Sequence, residues 1–252
     1  MNNDDLSPSA QTMPDVQSYR DSRSVDINRV GIKRIRVPVM VTDHGAAQHT
    51  VAEFSLSVFL PQDRKGTHMS RFAQLLNDYR EQTLGTQNFA DMFQDMLTRL
   101  DSNAGTLSMS FTFFLEKKAP VSELPGMMDY GVTLTTRSNA AGETETRVKL
   151  DVPVTTLCPC SKEISNYGAH SQRSIISIDA LVADTEQFCW RDTIESAEQQ
   201  ASAQLYSQLK RADEKYVTEH AYDNPRFVED LIREVATVLN ANTHKPNRSA
   251  RR

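Results

Sequence analysis

Apolar and polar positions alternate most clearly from Leu107. Leu107, Met109, Phe111, Phe113 and Leu115 fall on one face and Ser108, Ser110 and Thr112 on the other. A period of two is that of a half-buried β-strand. Ile32 to Val41 and Val51 to Leu60 are rich in β-branched residues and flank Gly45, which predicts a hairpin with a longish loop. Between these strand regions the period changes. Met69, Phe72, Leu75, Leu76 and Tyr79 recur at helical spacing, as do Phe89, Met92, Phe93, Met96, Leu97 and Leu100, with Gly85 separating the two runs. The Met-rich stripe is core-forming, because methionine fills irregular gaps between packed elements.

After a linker from Pro120 to Pro125 the order repeats. Val132 to Thr136 and Val148 to Val154 predict strands around a polar turn at Ser138 to Glu143, and Ile176, Ile178, Ala180 and Val182 a third. Ile194, Ala197, Ala201, Leu205 and Leu209 line one helix, and Phe227, Val228, Leu231, Ile232, Val235 and Leu239 another. Asn224-Pro225 fits the start of the latter, as a side-chain cap followed by proline in the first turn. Strands, two helices and strands thus occur twice, without close identity between the halves. The pattern predicts an α+β fold, antiparallel sheets with paired helices on one face. The expected organisation is a flexible arm over 1–28, a first module over 29–118, a second over 119–240 and a disordered basic tail over 241–252.

Composition narrows the class. The 252 residues carry a formal charge of −5, which argues against a general nucleic-acid binder, since such proteins show a basic face. No run approaches the roughly 18 apolar residues of a membrane helix. The acidic start Met1-Asn2-Asn3-Asp4-Asp5 has no apolar core and is no signal peptide. Three cysteines, two nearly adjacent, make no disulfide framework and point to a reducing, cytoplasmic setting. Cys189, before the only tryptophan, is expected in the core or at a helix start.

The stretch with the most chemistry runs from Leu157 to Ser174. Cys158 and Cys160 are separated only by Pro159, and proline disfavours a helical conformation in the residue before it. An extended backbone there would put both thiols on one side. His170 follows a polar loop containing Tyr167-Gly168, with room to fold back. Thiolate and imidazole are ligands that zinc, iron and related divalent metals accept. A lone Cys-x-Cys also occurs as buried, inert thiols. A closed structural zinc site needs four protein ligands, and this loop offers at most three, so a site here would be open.

This stretch resembles the signature of GTP cyclohydrolase IB, the prokaryotic enzyme that opens the purine ring of GTP. The resemblance runs from Met13-Pro14-Asp15-Val16-Gln17-Ser18 to about Asn240. It takes in Lys65-Gly66-Thr67-His68-Met69-Ser70-Arg71-Phe72, Ala119-Pro120-Val121-Ser122, Asp213-Glu214-Lys215-Tyr216-Val217-Thr218-Glu219 and Tyr222-Asp223-Asn224-Pro225-Arg226-Phe227-Val228-Glu229-Asp230, in the family's order. It implies the tunnelling fold, two modules per chain, and a homo-oligomer, a tetramer in the family. It implies hydrolysis of GTP at guanine C8, with loss of formate, to dihydroneopterin triphosphate, the first step towards folate or deazaguanine compounds. The third reading, the nitrile reductase of the same fold, uses no metal.

The resemblance also implies roles for residues. Cys158, His170 and Glu214 match the family's metal ligands, for zinc, iron(II) or manganese. Composition alone does not choose among Asp213, Glu214 and Glu219, and the run would otherwise be a solvated charged stretch. Cys160 matches the catalytic, non-ligand cysteine, with a fourth ligand as its rival role. Glu229 matches the carboxylate that anchors guanine; it lies at the flank of its helix's apolar stripe. Lys65, His68, Arg71 and Arg173, with Lys162 beside the loop, are candidate partners of the triphosphate, across a subunit boundary if need be, each equally readable as a surface charge. Where the family continues into a closing strand and a His-x-His pair, this chain runs from Asn240 to Arg252 with His244 standing alone. A shortened C-terminus, a missing closing strand and slow turnover are therefore expected. The alternative is a weakly active or inactive paralogue that binds metal or purine nucleotide and assembles with other subunits.

Overall fold

The computed structural model describes residues 14–45, 47–139, 141–182 and 188–242. A 3-10 turn at Val16–Ser18 precedes β1 (Ile27–Val41) and β2 (Gln48–Leu60). α1 (Met69–Tyr79), the two-residue β3 (Thr83–Leu84) and α2 (Thr86–Arg99) follow. Three long strands come next, β4 (Gly105–Lys118), β5 (Pro125–Ser138) and β6 (Thr144–Leu157), then α3 (Pro159–Ile164) and β7 (Ser171–Val182). The chain continues through α4 (Trp190–Glu198), the short β8 (Ala203–Gln204), α5 (Arg211–Asp223) and α6 (Val228–Asn242).

All eight strands join one sheet in the order β3-β1-β2-β4-β5-β6-β7, with β8 beside β6. The long strands are antiparallel to their neighbours, and β3 is parallel to β1. β4 and β5 pair without a break from Gly105↔Ser138 to Lys118↔Pro125. The residues between them, expected as a linker, form a tight hairpin turn in which Ala119 N–H donates to Leu124 O and Glu123 N–H to Ala119 O. The expected module boundary falls at this turn, and the sheet runs straight through it.

Alternation decides which face is covered. Leu107, Met109, Phe111, Phe113 and Leu115 are buried, together with Val132, Leu134, Val148, Leu150 and Val152 on neighbouring strands. Phe72, Leu75, Phe89, Met92, Phe93, Met96 and Ile194 from α1, α2 and α4 belong to the same core. The opposite face is polar, with hydroxyl rungs such as Ser108–Thr135 at 3.1 Å and Ser110–Thr133 at 2.9 Å. The fold is therefore α+β, helices on one side of a continuous antiparallel sheet, as expected.

The halves are locked around Trp190, which is fully buried. Its ring packs against Phe111 and Phe113 at centroid distances of 5.4 and 5.3 Å, and its indole N–H donates to the Thr86 hydroxyl at 3.0 Å. Asp43, in the turn after β1, caps α4 from across the molecule by accepting the N–H groups of Trp190 at 2.8 Å and Arg191 at 2.6 Å. Those N–H groups would otherwise be orphaned at a helix start. Cys189 at this helix start is half-buried, as expected, and burial pushes its thiol up to about 12.

The second half departs from its periodicity. The helix expected from Ile194 to Leu209 stops at Glu198. The Ser202 hydroxyl then accepts the Leu157 N–H at 3.0 Å, and Ala203 pairs with Thr155 of β6. α5, which no apolar period announced, buries only Asp213 and Ala221. α6 begins at Val228, three residues beyond Pro225. Asn224 ends α5 instead, its side-chain amide donating to His220 O at 2.7 Å. Of the expected N-terminal arm, the described residues 15–21 dock on the loop after β2: Lys65 N–H donates to Tyr19 O and Gly66 N–H to Gln17 O. The tail beyond Asn242, His244 included, where a closing strand was expected to be missing, lies outside the described residues.

Candidate active site

The sequence Leu157-Cys158-Pro159 converts a strand into a helix. Pro159 takes the first position of α3, where its missing N–H costs nothing. Cys158 is the extended residue at the helix start, but Cys160 is already helical. The expectation that both thiols project from one extended segment is therefore corrected. Cys158 is half-buried and Cys160 exposed. The loop then folds back. Cys158 N–H donates to His170 O at 3.3 Å, and Ser161 Oγ bridges the two by donating to Cys158 O at 2.9 Å and accepting the His170 N–H at 3.1 Å. Gly168 has φ 139°, open to glycine, in the return. The main chain of His170 is thus held beside Cys158 while its imidazole stays exposed. The Cys158 thiol is pulled below its ordinary value, chiefly by the Ser161 backbone N–H and further by the Ser161 hydroxyl and the Cys160 N–H and thiol.

α5 gives the three acidic residues different surroundings. Asp213 is fully buried and already saturated. Its carboxylate accepts the N–H groups of Val121 and Ser122 at 2.8 Å each, the Ser122 hydroxyl at 2.6 Å and the Lys210 N–H at 2.9 Å. These donors hold its pKa well below the carboxylate range, outweighing the opposing effect of burial. Glu219 pairs with Lys215 at 3.8 Å on the outer side. Glu214 is exposed, and its carboxylate has no partner among the described residues. At 3.6 residues per turn, it stands on the flank of α5 between the inner row of Asp213, Val217 and Ala221 and the side carrying Tyr222. That side meets α3: Lys162 Nζ donates to Tyr222 O at 2.5 Å and lies 4.1 Å from the Tyr222 ring centre. Lys162 is therefore a strut between α3 and α5.

The start of α6 is pinned to the same place, because Arg226 N–H donates to Leu157 O at 3.0 Å. Glu229 lies in the first turn of α6, exposed. It points further from the buried Leu231 and Val235 than the flank position expected, and beside it Phe227, Val228 and Ile232 expose apolar surface. Arg173, paired across from Thr155 at the start of β7, is exposed and without a partner among the described residues. Cys158, Cys160, His170, Glu214, Glu229 and Arg173 thus share one end of the sheet. Among the described residues, no three His, Cys, Asp or Glu side chains converge tightly enough to hold a metal ion. The donors still suit a divalent metal: a thiol biased towards thiolate, an imidazole with exposed nitrogens and an uncommitted carboxylate.

Lys65, His68 and Arg71 lie elsewhere. β2 ends, β4 begins, β5 ends and β6 begins at one end of the sheet, as the registers Val58↔Gly105, Gly105↔Ser138 and Ser138↔Thr144 show. The Cys158 loop leaves β6 at the other end. His68 and Arg71 line a cavity of about 300 Å³ with Asp15, Gln17, Arg64 and Asp101. His68 Nε2 is 3.3 Å from Asp15 Oδ2, and Arg71 donates to Arg99 O at 2.7 Å, closing the end of α2. Lys65 is exposed, its Nζ 5.9 Å from the Tyr19 ring centre. Sequence reasoning missed Asp213, Ser122 and Ser161 as organisers of the site. Ser122 and Asp213 sit in two separate blocks of the resemblance, which was the signal available.

The fold is that of a tunnelling-fold protein, with the Cys158 loop and the starts of α5 and α6 beyond one end of the last long strands. Comparison with known proteins makes the assignment specific. The family model described as Type I GTP cyclohydrolase folE2 matches residues 13–250. A protein of Azoarcus sp. (strain BH72) named GTP cyclohydrolase FolE2 is 50% identical over 236 residues, covering 93% of this chain and 86% of its own. One of Burkholderia ambifaria (strain ATCC BAA-244), also named GTP cyclohydrolase FolE2, is 51% identical over 234 residues, covering 92% and 85%. The GTP cyclohydrolase FolE2 2 of Dechloromonas aromatica (strain RCB) is 49% identical over 238 residues, covering 94% and 86%. The chain belongs to the type I GTP cyclohydrolase FolE2 family.

Proposed function

We propose that this protein is a metal-dependent GTP cyclohydrolase, hydrolysing GTP at guanine C8 with release of formate to give 7,8-dihydroneopterin triphosphate. The observation that carries the reading is the gathering of Cys158, Cys160, His170, Glu214 and Glu229 at one sheet end, in a chain half identical to proteins named for this activity. Cys158, His170 and Glu214 would hold the metal. A divalent metal supplies an activated water by lowering its pKa towards neutrality, with zinc, iron(II) and manganese all compatible with this donor set. Cys160, exposed one residue into α3, moves protons between the reacting purine and solvent. Glu229 accepts the ring N–H and exocyclic amine of guanine, a paired contact that adenine cannot make.

Lys65, His68 and Arg71 fit a triphosphate at the other end of the sheet, and Arg173 fits it at the metal-loop end. One nucleotide cannot reach both ends of a single chain. The basic group at the β2 end therefore serves a site formed with a second copy, consistent with a homo-oligomer such as a tetramer. The apolar surface of Ile164, Tyr167, Phe227, Val228 and Ile232 around the metal loop suits the same arrangement. A cytoplasmic location fits the free cysteines, and among the described residues no helix is long and apolar enough to cross a membrane. The relatives that carry the name GTP cyclohydrolase FolE2 favour the enzyme over a non-catalytic paralogue. Incubating the metal-loaded protein with GTP, then oxidising, should yield a fluorescent pterin. Absence of fluorescence with zinc, iron(II) and manganese alike would overturn the proposal.

A further inference from the structure

α5 is an unusual helix to carry a ligand, because hydrophobic packing barely holds it. It buries only Asp213 and Ala221, with Val217 packed beside a small cluster of Leu157, Ala203 and Ala221. The start of the helix, where Glu214 stands, has no apolar anchor of its own. What anchors it is Asp213, whose carboxylate reaches out of the first turn to the β4–β5 hairpin. There it takes both N–H groups of Val121 and Ser122 and the Ser122 hydroxyl, while keeping the Lys210 N–H that caps its own helix. Glu214 directly follows Asp213, and its N–H donates to Lys210 O at 2.9 Å, so it is tied to the clamp through the chain and through a hydrogen bond. The hairpin is a well-supported anchor, since β4 and β5 pair over their whole length.

We propose that Asp213 and Ser122 are positioning residues for Glu214: the Asp213–Ser122 clamp fixes the first turn of α5 to the β4–β5 hairpin and so aims the Glu214 carboxylate at the metal held by Cys158 and His170. The proposal rests on the assignment of Glu214 as a ligand. Outer partners that orient a ligand commonly change metal affinity by about tenfold to a hundredfold when lost. Asp213→Asn replaces one accepting oxygen by a donor that faces donors, and Ser122→Ala removes a single donor and leaves both N–H contacts.

The test is cobalt(II) titration of metal-free protein, read by the visible thiolate–cobalt absorption, with thermal melting in parallel. Asp213→Asn should weaken cobalt binding by about tenfold to a hundredfold. Ser122→Ala should weaken it less, and Ser122→Thr, which keeps the hydroxyl, should restore it. Should Asp213→Asn not fold, the two Ser122 variants decide. Lower melting temperatures with wild-type cobalt affinity would make the clamp merely structural and overturn the proposal. Glu214→Gln separates the two levels. If it weakens cobalt binding while the clamp variants do not, only the positioning role falls. If it leaves binding unchanged, Glu214 is no ligand and both the assignment and the proposal fall.

Discussion

Two variants, each inactive alone, should recover activity when mixed. Strand β4 has 14 residues, which at about 3.3 Å per residue separates the two ends of the sheet by about 45 Å. Cys160 stands at one end, and Lys65 and His68 at the other. If a site takes its metal loop from one copy and its basic group from another, Cys160→Ala and Lys65→Ala/His68→Ala damage different halves of it. After unfolding and co-refolding in equal amounts, a random oligomer draws each half from either parent, so about one site in four receives two intact halves. The mixture should regain about a quarter of wild-type turnover, scored as pterin fluorescence from GTP, with each variant alone near background. Native mass spectrometry of an isotope-labelled partner would confirm mixed oligomers. Mixed oligomers without recovery would refute the shared site, as would full activity in Lys65→Ala/His68→Ala alone.

Three further outcomes follow. Cys158→Ala should lose most bound metal, while Cys160→Ala keeps it and loses turnover; equal metal loss in both would make Cys160 a ligand. Glu229→Gln should weaken binding of a non-hydrolysed GTP analogue by about tenfold to a hundredfold with metal content intact, and unchanged affinity would leave Glu229 a solvated helix residue. Thr86→Val should strand the buried indole N–H of Trp190, at a cost of about 1–3 kcal/mol. For a chain of this size that lowers Tm by about 2–12 °C, followed by far-ultraviolet circular dichroism, which does not depend on the tryptophan. In a Trp190→Phe background the same change should have little further effect, and an equal drop there would show that the hydrogen bond is not the cause.

Elements that bury a full apolar face were legible in the chain. Leu107 to Leu115 and the Phe89 to Leu100 stripe announce β4 and α2 because their burial follows one period throughout. α5 was silent because a carboxylate, rather than leucines, ties it down. The apolar spacing through Ala201 and Leu205 suggested a longer helix, but Ser202 and Ala203 are taken by β6 instead. Pro159 was read as keeping the chain extended, whereas it opens α3. At the site, the return of His170 to Cys158 was foreseeable from the loop between them. The placement of Lys65, His68 and Arg71 at the far end was not, since it depends on which way each strand runs, and a local pattern carries no direction.

The meander also sets an order of assembly. The six long strands pair in chain order with only helices and turns between them, so most of the sheet can form as the polypeptide leaves the ribosome. The Asp43 cap on α4 is different, since it joins residues 147 positions apart. At about 5–20 residues per second, Asp43 waits about 7–30 s for the helix start it caps. For the later part of that interval, about 4–16 s at the same rate, Phe111 and Phe113 also lack the Trp190 ring that covers them. The first half of the chain is thus born with its aromatic seam open, and synthesis of the second half closes it.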